Sequence, residues 1–284
     1  MREKKNPIII IGMHRSGTTL ISKILQDFGV FMGFYKEKNE ESKYFLKFND
    51  WILKQTYSTW DSPENFLMLD NNSQYFFEQI CRQSIRSPIS NIRYFGWNKF
   101  LKGYSFKNPP KYWGWKDPRN TFTIDLWKQV FPDARIIHIY RNPVDIAVSL
   151  RKRESEKKAQ LISSNPSMIK ILSNKGRIAN VSFRLTDYEE CFNVWKLYVE
   201  KSFNVDSDCL HIKYEDFLTY PEEIIYKILN HVNLNIQKST VEDKIKQINV
   251  DRKYAFYKKT EMISFYEKIK NDSLIQRLGY DKII

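Results

Sequence analysis

The sequence predicts an α/β fold in which a P-loop-like parallel β-sheet is flanked by helices. Three segments carry this prediction, because each joins a short apolar strand to a following helix: residues 8–28, 135–150 and 209–232. Strands that alternate with helices along a chain form parallel sheets covered on both faces. The length of 284 residues and the hydrophobic content of 42% suit one globular domain, which we expect to span residues 1–284.

The individual elements follow from local patterns. The run Ile8–Ile11 predicts a buried strand, and the helical spacing of apolar residues after it predicts a helix that Gly29 ends. Asn142 is expected to cap a helix that Pro143 opens. Further helices are expected at residues 41–55, 73–85, 122–130, 187–202 and 221–232, and further strands at residues 111–115, 135–140 and 209–214.

The remaining segments are predicted from composition. The charged and polar stretch of residues 151–180 indicates a mobile surface lid, and residues 235–284 are expected to form a C-terminal helical part. No apolar stretch is long enough to cross a bilayer and no signal peptide is recognised, so we expect a soluble cytoplasmic protein without an integral membrane segment. The three cysteines are odd in number and lack metal-like spacing, which predicts reduced, mostly buried thiols.

The charge balance favours anionic ligands. Lys and Arg number 46 against 33 Asp and Glu, for a net charge of +13. We do not expect nucleic acid as a partner, because no nucleic-acid-binding motif is recognised and a basic nucleotide site with an anionic acceptor explains the same sign. The sequence leaves the oligomeric state open.

Residues 12–19 read GMHRSGTT and predict a glycine-punctuated turn between a strand and a helix, the arrangement that cradles phosphate groups. Two glycines five apart and the hydroxyl of Thr19 resemble the Walker A loop, but Thr18 stands where that loop has lysine. The cation is Arg15, whose planar guanidinium suits a tetrahedral oxyanion. The loop is therefore predicted to hold an anion other than a magnesium triphosphate.

A second anion site is predicted one strand–helix unit away. Arg141 follows the strand of residues 135–140, and Ser149 and Arg153 lie four apart on the next helix, hence on one face. The N-terminus of that helix also favours an anion. Two such sites indicate a nucleotide with two separated phosphoryl-type groups, a shape that ATP lacks.

These features resemble the sulfotransferases that use 3′-phosphoadenosine 5′-phosphosulfate (PAPS), and the resemblance implies a sulfotransferase-type fold. In that family the first loop binds the 5′-phosphosulfate, and an Arg with a Ser eight residues later, the spacing of Arg141 and Ser149, binds the 3′-phosphate. The RSGTT loop is similar to that of tyrosylprotein and bacterial carbohydrate sulfotransferases. Further matches are KDP at residues 116–118, FPDAR at 131–135 and KYEDF at 213–217, so the resemblance runs from residue 7 to about 233.

The resemblance implies roles for particular residues. Arg15 and Lys116 would stabilise the charge that grows on the leaving phosphate, although Lys116 could instead pair structurally with Asp117. The base that deprotonates the acceptor is expected to be Glu41, with Glu40 as the close alternative. Contacts to PAPS, and to its product 3′,5′-adenosine bisphosphate (PAP), are expected from the following residues, with no metal: Arg15, Ser16, Gly17, Thr18, Thr19, Arg141, Ser149, Arg153 and Tyr214.

The favoured hypothesis is a sulfotransferase that moves a sulfuryl group to a hydroxyl acceptor, with carbohydrate as the favoured class, by direct in-line displacement. One alternative is a P-loop nucleotide-dependent kinase. The absent Walker lysine and the lack of a convincing acidic magnesium site argue against it. The other alternative is a non-catalytic nucleotide- or anion-binding protein, which predicts binding without turnover.

Overall fold

The computed structural model describes residues 5–163, 181–205, 208–248 and 252–283. Four strands form one sheet in the order β2-β1-β3-β4, and all three neighbouring pairs are parallel. This sheet and the helices around it confirm the predicted α/β fold. The strands are β1 (Ile8–Ile11), β2 (Gly114–Lys116), β3 (Arg135–Tyr140) and β4 (Cys209–Lys213).

Helices make up most of the rest of the described chain. Two short 3₁₀ turns accompany them at Arg184–Thr186 and Ala255–Lys258. The α-helices are α1 (Thr18–Asp27), α2 (Lys43–Lys54), α3 (Glu64–Leu67), α4 (Asn71–Arg86), α5 (Pro88–Phe95), α6 (Trp97–Leu101), α7 (Asn120–Val130), α8 (Pro143–Ser163), α9 (Tyr188–Phe203), α10 (Tyr214–Thr219), α11 (Pro221–His231), α12 (Lys238–Ile245), α13 (Thr260–Ile269) and α14 (Ser273–Arg277).

The second strand departs from the expectation for residues 111–115. Trp113 forms only an isolated bridge with Phe31, and the ladder with β1 begins where Gly114 pairs with Ile8. A Cβ at position 114 would lie 2.0 Å from the Ile8 carbonyl oxygen, so glycine permits this approach. The strand consequently ends on Lys116.

Packing covers both faces of the sheet. On one face, Ile8 and Ile10 belong to a buried cluster that includes apolar residues of α1, α10 and α11. On the other, the Trp115 ring stacks on Phe45 of α2, with ring centroids 3.7 Å apart and planes 3° from parallel. Trp127 of α7 packs edge-on against Phe45, with 5.0 Å between centroids. These contacts anchor α1, α2 and α7 beside the ends of β1 and β2.

The chain divides into two compact units. The first, Met1–Arg141 with Tyr198–Lys253, contains the sheet, and the second, Asn142–Leu197 with Tyr254–Ile284, contains α8, α13 and α14. A single domain over residues 1–284 stays a prediction. Of the predicted lid, residues 151–163 are helical within α8, and residues 164–180 lie outside the described residues. The expected C-terminal helical part contains α12, α13 and α14.

The cysteines, the length of the apolar helices and the clustering of metal-binding side chains bear on three further expectations. Cys81, Cys191 and Cys209 are buried free thiols, as expected, and burial raises the pKa of the Cys191 and Cys209 thiols to about 12. Within the described ranges, no helix combines the length and apolar character needed to cross a membrane. The same ranges contain no group of three or more His, Cys, Asp or Glu side chains placed to hold a metal ion.

Candidate active site

The candidate site lies where the chain changes direction across the sheet. β1 stands between β2 and β3, so the connections from β1 to β2 and from β2 to β3 run to opposite sides. In open α/β sheets, ligands bind at such a switch point, beyond the carboxyl ends of the strands. Residues 12–17 follow β1 and Arg141 follows β3, so both predicted anion-binding segments begin at neighbouring strand ends.

Two glycines let the loop after β1 pass close to its neighbours. Gly12 has φ 129°, and a Cβ there would lie 2.3 Å from the carbonyl oxygen of Ile139 in β3. Gly17 has φ 108°, and its Cβ would lie 2.6 Å from the Tyr214 ring. Both backbone conformations are ones that side-chain-bearing residues rarely adopt. The glycine pattern of the motif thus has a steric cause in this chain.

Other residues of the loop define its shape and charge. Arg15 is exposed, and its φ of 74° lies in the left-handed region. The buried Ser16 donates both its amide (3.2 Å) and its hydroxyl (2.7 Å) to the Met13 carbonyl, which holds the turn. Thr18 opens α1 directly after Gly17. The first amides of a helix have no partners within it and favour anions, which suits the predicted phosphate contact.

A buried ion pair lies beside this loop. The Lys116 ammonium donates to a Glu41 carboxylate oxygen at 2.6 Å, and the two side chains are only 2% and 4% exposed. Lys116 Nζ also donates to the Asn39 carbonyl at 2.8 Å, and the same carbonyl accepts from the Thr19 hydroxyl at 3.0 Å. Burial lowers the pKa of Lys116, and the neighbouring Glu41 opposes that shift. The Asn39 carbonyl therefore links the pair of the expected lysine and the favoured base to Thr19 on α1.

The alternative base, Glu40, has different surroundings. Its carboxylate accepts from Lys36 at 2.8 Å and from Gln26 at 3.1 Å. Partial burial raises the pKa of Glu40, but these hydrogen bonds and the Lys36 charge outweigh it, so the pKa is lowered. Asp117, the structural partner considered for Lys116, instead pairs with Arg119 at 3.0 Å.

At the neighbouring strand end, Arg141 packs on Tyr214. The guanidinium carbon of Arg141 lies 4.7 Å from the centroid of the Tyr214 ring, within cation–π range. Arg141 Nη2 also donates to the Arg252 carbonyl at 2.8 Å. Tyr214 is 5% exposed, and the same ring flanks Gly17. One aromatic ring thereby contacts both predicted anion-binding segments, a role the sequence expectation for Tyr214 did not specify.

Ser149 and Arg153 belong to the second unit, on α8. The cap of that helix is as predicted, since the Asn142 side chain accepts from the Asp145 amide at 2.8 Å. Arg153 Nε donates to the fully buried Glu154 at 2.6 Å. The convergence of Ser149 and Arg153 with Arg141 on one phosphate stays a prediction.

Sequence reasoning missed Asn49, which organises the buried hydrogen-bond network beneath the candidate site. Asn49 on α2 donates to Asp117 (2.9 Å) and Asn120 (2.7 Å), and its carbonyl accepts from Thr123 (3.1 Å) and Trp127 (2.8 Å). Because the indole N–H of Trp127 can only donate, it determines which end of the amide faces it. The available signal was a polar residue at a buried position of a predicted amphipathic helix.

The first turn of α7 also holds the loop. The Gly12 amide donates to the Thr121 hydroxyl at 3.0 Å, and Asn120 Nδ2 donates to the Ile10 carbonyl at 3.4 Å. Asn120 therefore connects the network around Asn49 to β1, immediately before the loop begins. Thr121 was not among the expected site residues, because nothing in the sequence relates it to a glycine 109 positions earlier.

The fold defines an α/β protein of the parallel-sheet class, with the glycine-containing loop of the candidate site at the switch point. A family model described as "Sulfotransferase family" matches residues 7–238, and the chain belongs to that family. A search of curated proteins found no match.

Several solved structures are similar in fold. Sulfotransferase STF9 from Mycobacterium avium shares 15% identity over 95% of this chain and 78% of that protein, with a TM-score of 0.48. The sulfotransferase domain of the Synechococcus PCC 7002 olefin synthase shares 15% identity over 95% of this chain and 97% of that domain, with a TM-score of 0.48. Mouse sulfotransferase SULT7A1 complexed with PAP shares 13% identity over 98% of this chain and 90% of that protein, with a TM-score of 0.41. At these TM-scores the likenesses do not bear on the function of this chain.

Proposed function

We propose that this chain transfers a sulfuryl group from PAPS to a hydroxyl of an acceptor, with carbohydrate as the favoured class, by in-line displacement. The observation that carries the proposal is the Asn39 carbonyl, which accepts from Thr19 on the loop helix and from Lys116 in the ion pair with Glu41. A candidate base and a buried cation thereby sit next to an anion-binding loop. Direct transfer needs this combination at one place.

The loop fits a phosphosulfate group. Gly12 and Gly17 let the loop turn close against β3 and the Tyr214 ring, and the N-terminus of α1 offers partial positive charge. Arg15 supplies a formal charge beside those amides. When bound, PAPS supplies the activated sulfuryl group and a phosphate leaving group. The family resemblance assigns Arg141 and Ser149 to the 3′-phosphate, the helical spacing from Ser149 adds Arg153, and these assignments are part of the proposal.

The ion pair suits both proton transfer and charge stabilisation. The Glu41 carboxylate would accept the proton of the acceptor hydroxyl. Once Glu41 is neutral, the charge of the Lys116 ammonium is no longer balanced and can stabilise the charge that grows on the leaving oxygen. Arg15, at the loop, acts on the same developing charge from the protein surface. Glu40 has a structural role in this scheme, because Lys36 and Gln26 engage its carboxylate.

Ligand-dependent thermal unfolding tests the nucleotide class. A ligand at a hundred times its Kd adds about 2.7 kcal/mol of stability, or roughly 5 °C in Tm, and PAP should exceed ADP and ATP with magnesium. Arg141→Ala should remove the advantage of PAP over ADP. The matched control is Arg86→Ala, at an exposed arginine that ends α4 and should leave the advantage intact. Equal Tm shifts with PAP and ADP in the unmodified protein would contradict the prediction of two separate anion sites.

Turnover tests the reaction. Labelled PAPS is offered with glycan, tyrosyl-peptide and phenol acceptors, and we expect transfer to be fastest with a glycan. Glu41→Gln should lower kcat by a factor on the order of 100 or more while PAP binding persists, because general-base catalysis contributes about that much. Glu40→Gln is the control and should retain most of the activity. PAP binding without transfer to any acceptor would favour the non-catalytic alternative.

A further inference from the structure

A second cleft opens at the opposite end of the sheet from the candidate active site. It has a volume of about 800 Å³, and its lining includes Ile8 and Arg135, the first residues of β1 and β3. The loop of residues 12–17 leaves the other end of β1, and four residues of strand span about 13 Å. A ligand in this cleft would therefore be separate from one bound at the loop. The volume is within the usual range for small-molecule sites.

The charges of the cleft select an anion. Lys5, Lys107, Lys111 and Arg135 line it, against the single carboxylate of Asp133. Three of the four cations are exposed, so their charge reaches the solvent from which a ligand arrives. The excess of positive charge therefore favours an anionic ligand.

The uncharged lining selects a ring that carries hydroxyl groups. Asn6, Asn108 and Asn233 contribute amides, which both donate and accept hydrogen bonds as sugar hydroxyls require. Tyr112 and Phe131 are half-buried and contribute aromatic walls. Aromatic faces pack against the apolar face of a pyranose ring. Hydroxyls, a ring face and an anionic substituent together describe one class of molecule.

We propose that this cleft binds an acidic saccharide, a sugar that carries sulfate or carboxylate groups, at a site distinct from the one that binds PAPS. The cations pair with the acidic groups, the amides with the hydroxyls, and the aromatic rings with the ring faces. The ammonium of Lys111 lies over the Tyr112 ring, 5.2 Å from its centroid, so an acidic group paired with Lys111 would lie close to this aromatic wall. The site requires no turnover, so its test is independent of sulfuryl transfer.

Calorimetric titration with a trisulfated heparin disaccharide, both without PAP and at saturating PAP, tests the proposal. The cleft variant Lys107→Gln/Lys111→Gln should bind the disaccharide about tenfold more weakly than the unmodified chain. The control Lys227→Gln/Lys238→Gln makes the same change in net charge at exposed helix positions outside the cleft and should bind within about twofold of the unmodified chain. Maltose and inorganic sulfate should both bind far more weakly.

Each contrary outcome overturns the proposal in a recognisable way. Equal loss in both variants would mean non-specific charge attraction. Competition by PAP would place the disaccharide at the candidate active site, and a second PAP equivalent lost in the cleft variant would mean a nucleotide site. Absence of disaccharide binding at millimolar concentration would leave the cleft without this function. PAP affinity, measured by titrating PAP alone into the same proteins, reports separately on the proposed sulfotransferase function.

Discussion

Replacing Glu41 by glutamine removes the negative charge from the buried pair with Lys116 while keeping an oxygen acceptor in place. The side chains are at most 4% exposed, so water cannot replace the lost carboxylate. Breaking a buried ion pair costs about 3–5 kcal/mol because the remaining charge stays buried without compensation. Glutamine still accepts a hydrogen bond, and the Asn39 carbonyl still accepts from Lys116. We therefore expect the variant to lose about 3 kcal/mol of its free energy of unfolding, the lower end of this range.

The loss should also depend on pH. Burial lowers the pKa of Lys116, and removal of Glu41 removes the charge that opposes this shift. Lys116 in the folded Glu41→Gln protein should then release its proton at a lower pH than in the unfolded chain, where the lysine pKa is near 10.5. Stability rises with pH where the unfolded state binds more protons. The deficit of the variant should therefore shrink as the pH rises toward 10.5.

Urea unfolding of a double-mutant cycle measures the effect. Lys116→Met alone strands the carboxylate and should cost a similar amount, whereas Glu41→Gln/Lys116→Met retains neither charge and should recover about 2 kcal/mol or more relative to the sum. Glu40→Gln is the matched control: its pair with Lys36 is 20–28% exposed and should contribute less than about 1 kcal/mol. A coupling energy below about 0.5 kcal/mol between Glu41 and Lys116 would refute the reasoning.

Three further predictions concern single positions. Gly12→Ala should destabilise the protein by more than about 3 kcal/mol in urea unfolding, since its Cβ meets a β3 carbonyl, while Gly29→Ala, with open space around it, should cost about 1 kcal/mol. Tyr214→Leu should weaken PAP binding about tenfold and Tyr214→Phe should not, because only the ring packs on Gly17 and on the arginine after β3. Burial lowers the pKa of both His138 and His211, whose Nδ1 atoms lie 2.9 Å apart. Below their usual value of 6.5 the unfolded state binds more protons, so stability should fall from neutral pH to about pH 5, and less steeply in His211→Gln.

Local patterns predicted the elements that carry the candidate site. The bounds of β1 and β3 agree with the expectation because each is a run of apolar residues between clear punctuation, Gly12 after one and Arg141-Asn142 after the other. The loop between β1 and α1 was predictable for the same reason. Its glycines permit the close approaches to Ile139 and to Tyr214 that the structure shows.

Contacts between distant segments could not be predicted in the same way. Asn49 bonds to residues 68–78 positions away, and only the packing of α2 against α7 brings them together. The pairing of His138 with His211 depends on the register of β3 and β4, which neither strand encodes alone. The meeting of Glu41 with Lys116 likewise depends on how the segment before α2 folds against the end of β2.

The amide of Asn49 has a consequence for how this protein can change over time. All four of its hydrogen-bonding positions are used, by two acceptors and two donors. Aspartate would offer no donor to Asp117, and an apolar residue would abandon four buried partners at once. Position 49 therefore tolerates essentially one residue, and any change in this part of the chain has to preserve the contacts that hold α2 against α7.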